Sequence, residues 1–282
     1  RCWPQTADWC CNFERMDLIF MKRFALILTA VILAGSLSAC GFFTPIVPVT
    51  PESSGAAAGS TGGDASLPAE SSGPDTASLI GSPVPEGSEQ PDSYFDDAVF
   101  IGDSLTTGLS LYGLLPEDQV LADTGINPQT ILTRECISQD GMDKTVLDAA
   151  ASLDPGKIYI MLGANGVAFL NFEDIVDWYG QLIDGLKAEH PEAEIYVQSI
   201  LPVTREKEDE TLNNERITEL NAMLQQMAAE EEVYYVSINE AIADEEGFLP
   251  TDLSADGMHF GTTVYEEWLD YLLCHTAEGA LQ

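Results

Sequence analysis

The sequence predicts an α/β domain over residues 96–275, built on a doubly wound, five-stranded parallel sheet. Three observations carry that expectation. Five short apolar runs, rich in β-branched and aromatic residues, recur along the segment. Amphipathic stretches with helical spacing fall between them. The residues with chemical character collect just beyond the runs, where open α/β sheets bind their ligands.

The first run is Ala98-Val99-Phe100-Ile101, closed by Gly102, Asp103 and Ser104. Four apolar residues followed by a glycine and an acid predict a buried strand ending in a tight turn. Residues 106–112 continue as helix with Asp103 as its N-cap. Ser104 then falls in the first helical turn, where amides have no intrahelical partner and an anion site lies beside the hydroxyl. Runs at 119–124, 157–162, 194–200 and 232–238 supply the other strands. Ile175, Tyr179, Leu182 and Leu186 step by 4, 3 and 4, and Ile217, Leu220, Leu224 and Met227 by 3, 4 and 3. Both patterns predict a helix with one apolar face. Thr263 and Glu266 read as a capping box opening a last helix that carries Trp268 and Leu272.

Candidate site residues follow the strand ends. Ser104 follows the first. Gly125 follows the second, where a glycine either lets a backbone N–H approach a ligand or simply makes a turn. Gly163-Ala164-Asn165-Gly166 follows the third, and Asn165 either donates its amide to a developing oxyanion or occupies a left-handed turn. The fourth ends in Leu201-Pro202-Val203, with nothing ionisable at its tip. Beyond the fifth, Asp256 and His259 stand three apart, close enough for the carboxylate to fix the imidazole tautomer. His190 and His275 both sit at helix ends, where the dipole favours them. Of the three histidines, only His259 lies in a loop beside an acid.

Gly102-Asp103-Ser104-Leu105, Gly125, Gly163-Ala164-Asn165 and Asp256-x-x-His259 resemble blocks I, II, III and V of the SGNH (GDSL) hydrolases, in order. The resemblance implies a flavodoxin-like three-layer α/β/α sandwich and hydrolysis of esters. It implies Ser104 as nucleophile, His259 as general base and Asp256 as its orienter. The Ser104 and Gly125 amides and the Asn165 side chain would form the oxyanion hole. The chain departs from the family where Gly166 replaces the second acid of Gly-x-Asn-Asp. That acid is not one of the donors, so the chemistry is expected to survive.

Composition bounds the partners. Among 282 residues, 11 Lys+Arg face 47 Asp+Glu, a formal charge of −36. Nucleic acid and anionic membrane surfaces are excluded, since both require clustered positive charge. Neutral or cationic substrates fit such a surface. The six cysteines (Cys2, Cys10, Cys11, Cys40, Cys136, Cys274) lack CxxC spacing, and no His/Asp cluster has ligand spacing, so no metal and no other cofactor is expected. Cys136 and Cys274 either pair or stay buried. The acidic runs 206–210 and 230–232 read as solvated faces.

Ahead of the domain, residues 1–20 read as an upstream segment absent from the mature protein. Lys22 and Arg23, the apolar run 24–34 and a small-residue site form a secretory signal too short to span a bilayer. Leu37-Ser38-Ala39-Cys40 resembles the bacterial lipobox, which implies a diacylglyceryl group on Cys40 and a chain beginning there. From Cys40 onwards 7 basic residues face 44 acidic ones. Residues 41–95, with eight Pro, eight Gly and ten Ser, read as a disordered tether, and 276–282 as a tail. A lipid-anchored, extracytoplasmic esterase is expected, acting on acetyl or other short acyl groups of wall or extracellular glycans. Acyl transfer to glycans, lysophospholipase or thioesterase activity, and an inactive surface binder are the alternatives.

Overall fold

Ala98–Gly102 forms the buried strand β1, and its backbone continues through Asp103 into helix α1 (Ser104–Leu111). The computed structural model describes residues 76–281; the upstream segment, the signal and lipobox ending at Cys40 and most of the tether lie outside them. The remaining elements are β2 (Val120–Ala122), β3 (Ile137–Gln139), β4 (Met142–Lys144), α2 (Val146–Ala150), β5 (Lys157–Met161), α3 (Phe172–Glu189), β6 (Glu194–Gln198), α4 (Asn214–Glu230), β7 (Tyr234–Val236), α5 (Asn239–Ile242), α6 (Thr262–Cys274) and α7 (Ala277–Ala280). Five strands form one parallel sheet in the order β2-β1-β5-β6-β7. This is the expected doubly wound α/β architecture.

Alternation along each strand builds two cores. Val99, Ile101, Ile158, Ile160, Ile195 and Val197 face α3 and α4, where Ile175, Tyr179, Leu182, Leu220 and Leu224 are fully buried. Phe100, Tyr159 and Tyr196 point to the opposite face, against Leu105 and Leu109 of α1 and Tyr265, Trp268 and Leu272 of α6. Registered pairing of Phe100 with Tyr159, and of Tyr159 with Tyr196, stacks their rings at 4.9 and 4.7 Å. The sheet therefore lies between two helical layers.

Three expectations are corrected. Residues 79–95 belong to the domain, not to a disordered tether. Leu79, Val84 and Phe95 are buried, and Pro83 and Val84 run alongside Tyr235 of the edge strand β7, with the Val84 amide donating to the Tyr235 carbonyl at 2.9 Å. Only three widely spaced apolar residues serve this purpose, in a stretch whose composition otherwise signals disorder. Covering an edge strand needs little more than that. Nor is 276–282 a tail: Ala277 is buried and its amide donates to the Tyr196 hydroxyl at 3.1 Å. Thr263 makes no capping box, because α6 starts one residue earlier at Thr262, with Gly261 as a cap lacking a side chain. The acidic run 206–210 is solvent-exposed as expected apart from half-buried Glu208, which accepts from the Asn214 amide, while Asp209 accepts from the Thr211 and Leu212 amides at the entry to α4. In addition, β3 and β4 form a hairpin through Asp140-Gly141, both at positive φ. An Asp-Gly pair between two short runs was a legible hairpin signal.

Candidate active site

The site starts at the junction of β1 and α1. Gly102 is required there because a Cβ would meet the Met161 carbonyl of β5 at 2.6 Å and collide with the Thr106 hydroxyl. Without one, the first turn of α1 sits directly on the sheet. Asp103 caps that turn, its Oδ1 accepting from the Leu105 amide at 3.1 Å. Ser104, 8% exposed, is thereby held at the carboxyl end of β1.

His259 reaches Ser104 from the loop before α6. Its Nε2 lies 2.9 Å from Ser104 Oγ, and its Nδ1 lies 2.7 Å from Asp256 Oδ2. An ionised carboxylate can only accept, so Nδ1 carries the proton and Nε2 offers its lone pair to the serine hydroxyl. The loop is closed from within. Asp256 Oδ1 accepts from the backbone amides of Met258 and His259. Ser254 Oγ accepts from the Gly257 amide at 2.9 Å and donates to the His259 carbonyl at 2.6 Å. A longer-range tie fixes the loop against the helix carrying Ser104. The Tyr265 hydroxyl of α6 donates to the Leu105 carbonyl at 2.8 Å.

The two acids of the site are tuned in opposite directions. Burial raises the Asp256 carboxyl, but hydrogen bonds from the His259 imidazole and the His259 and Met258 amides outweigh it, holding the group well below the usual carboxylate range. It stays ionised and keeps the imidazole in one tautomer. Burial pushes Asp103 up to about 6, against the opposing pull of the Leu105 amide and His259. A carboxyl raised on folding favours the folded state while protonated, below about pH 4, and that contribution disappears as pH rises through 6. Asp103→Asn keeps an oxygen for Leu105 and removes the charge. Its Tm is expected to match wild type at pH 4 and to exceed it at pH 8, by the equivalent of roughly 3 kcal/mol. A difference that stays constant across that range would contradict the assignment.

Gly125 and Asn165 lie in the loops that follow β2 and β5, the two strands that flank β1. Asn165 Nδ2 donates to the Ile126 carbonyl at 3.1 Å. That bond joins the loop after β5 to the loop after β2, across the end of β1. That bond takes up one of the two amide hydrogens. Gly125 adopts φ +78°, and a Cβ there would meet nothing within 4 Å, so conformation and not space selects glycine. His190 and His275 lie elsewhere, each ending a helix and bonded to a carbonyl, of Ala150 and Tyr271 respectively. Cys136 and Cys274 are free thiols and do not pair.

Of the run 167–172 after Asn165, Val167 and Phe172 pack into the core, while Phe169 is exposed, at 67%. Gly166 is also packed: a Cβ would lie 2.9 Å from Leu170 Cδ1 and 3.3 Å from both Ile175 Cδ1 and the Gly163 carbonyl. Restoring an acid with Gly166→Asp is therefore expected to cost about 1–3 kcal/mol of stability, read as a lower denaturation midpoint, without raising kcat. An unchanged midpoint would show that the loop has room for the acid. Sequence reading did not single out Ser254 or Tyr265 as supports. A serine two residues before an acid in a loop is a legible sign of local side-chain bonding, whereas the Tyr265 tie has no local signature.

Comparison with known proteins places this geometry. The model of the GDSL-like lipase/acylhydrolase family matches residues 100–266, which spans Ser104, Gly125, Asn165, Asp256 and His259. No curated protein gives a significant match. A Streptococcus pneumoniae protein provisionally described as a platelet activating factor aligns at TM-score 0.51 and 23% identity, over 62% of this chain and 81% of its own. A GDSL-like lipase from Bacteroides thetaiotaomicron aligns at 0.50 and 19%, over 68% and 92%. An acylhydrolase, also provisionally described, from Bacteroides fragilis aligns at 0.50 and 15%, over 71% and 92%. At these identities the structural likenesses speak for the shared fold alone. Because the family model covers more than half of its length, the chain belongs to the GDSL-like lipase/acylhydrolase family.

Proposed function

We propose that this protein is a serine ester hydrolase that removes short acyl groups, acetyl above all, from glycans. The unbroken line of hydrogen bonds from Ser104 through His259 to Asp256 carries the reading. In the cycle, Ser104 Oγ attacks the ester carbonyl as its proton passes to His259 Nε2. The tetrahedral oxyanion lies against the Ser104 and Gly125 amides and the side-chain amide of Asn165. Collapse breaks the ester C–O bond, and the leaving alcohol takes the proton from His259. Water then attacks the acyl-serine, giving its proton to His259, which returns it to Ser104 as the acid departs.

Two observations support a short acyl group. The run 167–172 spends Val167 and Phe172 on the core, which leaves little of it for lining an acyl pocket. The acidic surface suits neutral or cationic substrates more than anionic lipid headgroups. With the lipobox ending at Cys40, the reading places the enzyme on the outer face of a bacterial membrane, tethered by lipid.

A fluorophosphonate probe is expected to label wild type and not Ser104→Ala. Among p-nitrophenyl esters, kcat/KM is expected to fall steadily from acetate to octanoate, with acetate released from O-acetylated glycans. A maximum at octanoate would favour a lysophospholipase or thioesterase. Acetyl transfer to added glycan faster than hydrolysis would favour a transferase, and absence of label would favour a binder.

A further inference from the structure

We infer that Arg134 is a positioning residue for this reaction, clamping the peptide that presents the Gly125 N–H to the oxyanion; the inference rests on the serine hydrolase reading above. The Thr124 carbonyl and the Gly125 N–H belong to one planar trans peptide, so the direction of one sets the direction of the other. Arg134 Nη1 donates to the Thr124 carbonyl at 3.5 Å, while Nη2 pairs with Asp123 Oδ2 at 2.7 Å. A single guanidinium thus grips two consecutive residues at the end of β2, with the fork geometry that lysine lacks.

Two further contacts make this grip consequential. The loop closes on itself through the Ile126 amide and the Asp123 carbonyl, at 3.3 Å. Asn165 holds the next carbonyl, that of Ile126, from the opposite side. Gly125 sits between the two braces in a left-handed conformation, which a glycine can leave at little cost. Arg134 itself is fixed by a helical turn, its amide donating to the Thr130 carbonyl at 2.9 Å and that of Ile131 to the Asn127 carbonyl at 3.0 Å. Donation to a carbonyl also polarises the N–H of the same peptide. Because Asp123 neutralises the guanidinium, its contribution is orientation and polarisation more than net charge.

The test compares wild type, Arg134→Ala, Arg134→Lys and Asp123→Asn in full-length protein, with p-nitrophenyl acetate as substrate and an alkylboronic acid as oxyanion mimic. Arg134→Ala is expected to lower kcat about ten- to a hundredfold with KM within about twofold, the scale set by a misplaced catalytic group. Boronate affinity is expected to fall by the same factor. Asp123→Asn, which leaves Arg134 without its anchor, is expected to lose kcat in the same direction, and Arg134→Lys to recover only part of the loss. Arg134 and Asp123 are 43% and 32% exposed, so Tm is expected to hold; should Arg134→Ala unfold, the other two variants carry the test. Wild-type kcat and boronate affinity in all three variants would overturn the clamp while leaving the hydrolase in place. A wild-type protein that neither cleaves p-nitrophenyl acetate nor takes the fluorophosphonate removes the hydrolase reading, and the clamp with it.

Discussion

His259→Ala is expected to lower kcat by about 10⁴–10⁶-fold with little change in KM, the scale at which a hydrogen-bonded triad loses its base. His259 Nε2 is the group bonded to the Ser104 hydroxyl and so is placed to take the proton. Phosphonate labelling of Ser104 should fall in parallel, since it needs the same nucleophile. A variant keeping a tenth of wild-type turnover would assign the base elsewhere.

Asn165→Ala is expected to cost about 10²–10³-fold in kcat, or roughly 2.7–4 kcal/mol, the usual loss for one oxyanion donor. Two losses combine here. The Nδ2 donor disappears, and so does the brace on the Ile126 carbonyl that holds the Gly125 loop. The ground-state carbonyl gains little from either, so KM should stay near wild type. A defect confined to KM would mean that Asn165 binds substrate and does not stabilise the transition state. Asn165→Asp should be more damaging than alanine, because it replaces a donor with a charge of the same sign as the oxyanion.

How much was legible varies with the distance over which each feature is encoded. The α3 and α4 patterns placed Tyr179, Leu182, Leu220 and Leu224 on buried faces, as found. Asp103 signalled the start of α1 and does cap it. Residues 79–95 were misread because their order comes from an edge strand about 150 positions away, not from their own composition. Thr263 and Glu266 have capping-box spacing, yet Gly261 is where the chain turns into α6. The Arg134 grip escaped notice because nothing local marks one arginine, ten residues past a strand, as turning back onto it.

The sequence by itself determined the five strands of the sheet and the main helices between them, the family blocks and the candidate side chains of the site. Those properties follow from period, glycine placement and the chemistry of neighbouring residues, all of which act within a few positions. Only the tertiary structure decided that Ser104 and His259, 155 residues apart, stand at bonding distance. That separation is set by how α6 packs beside α1, through Tyr265 on the Leu105 carbonyl, and onto β6, through Trp268 on Gln198. The energy fixing it is shared among many buried contacts across the sheet, and no stretch of chain carries it alone.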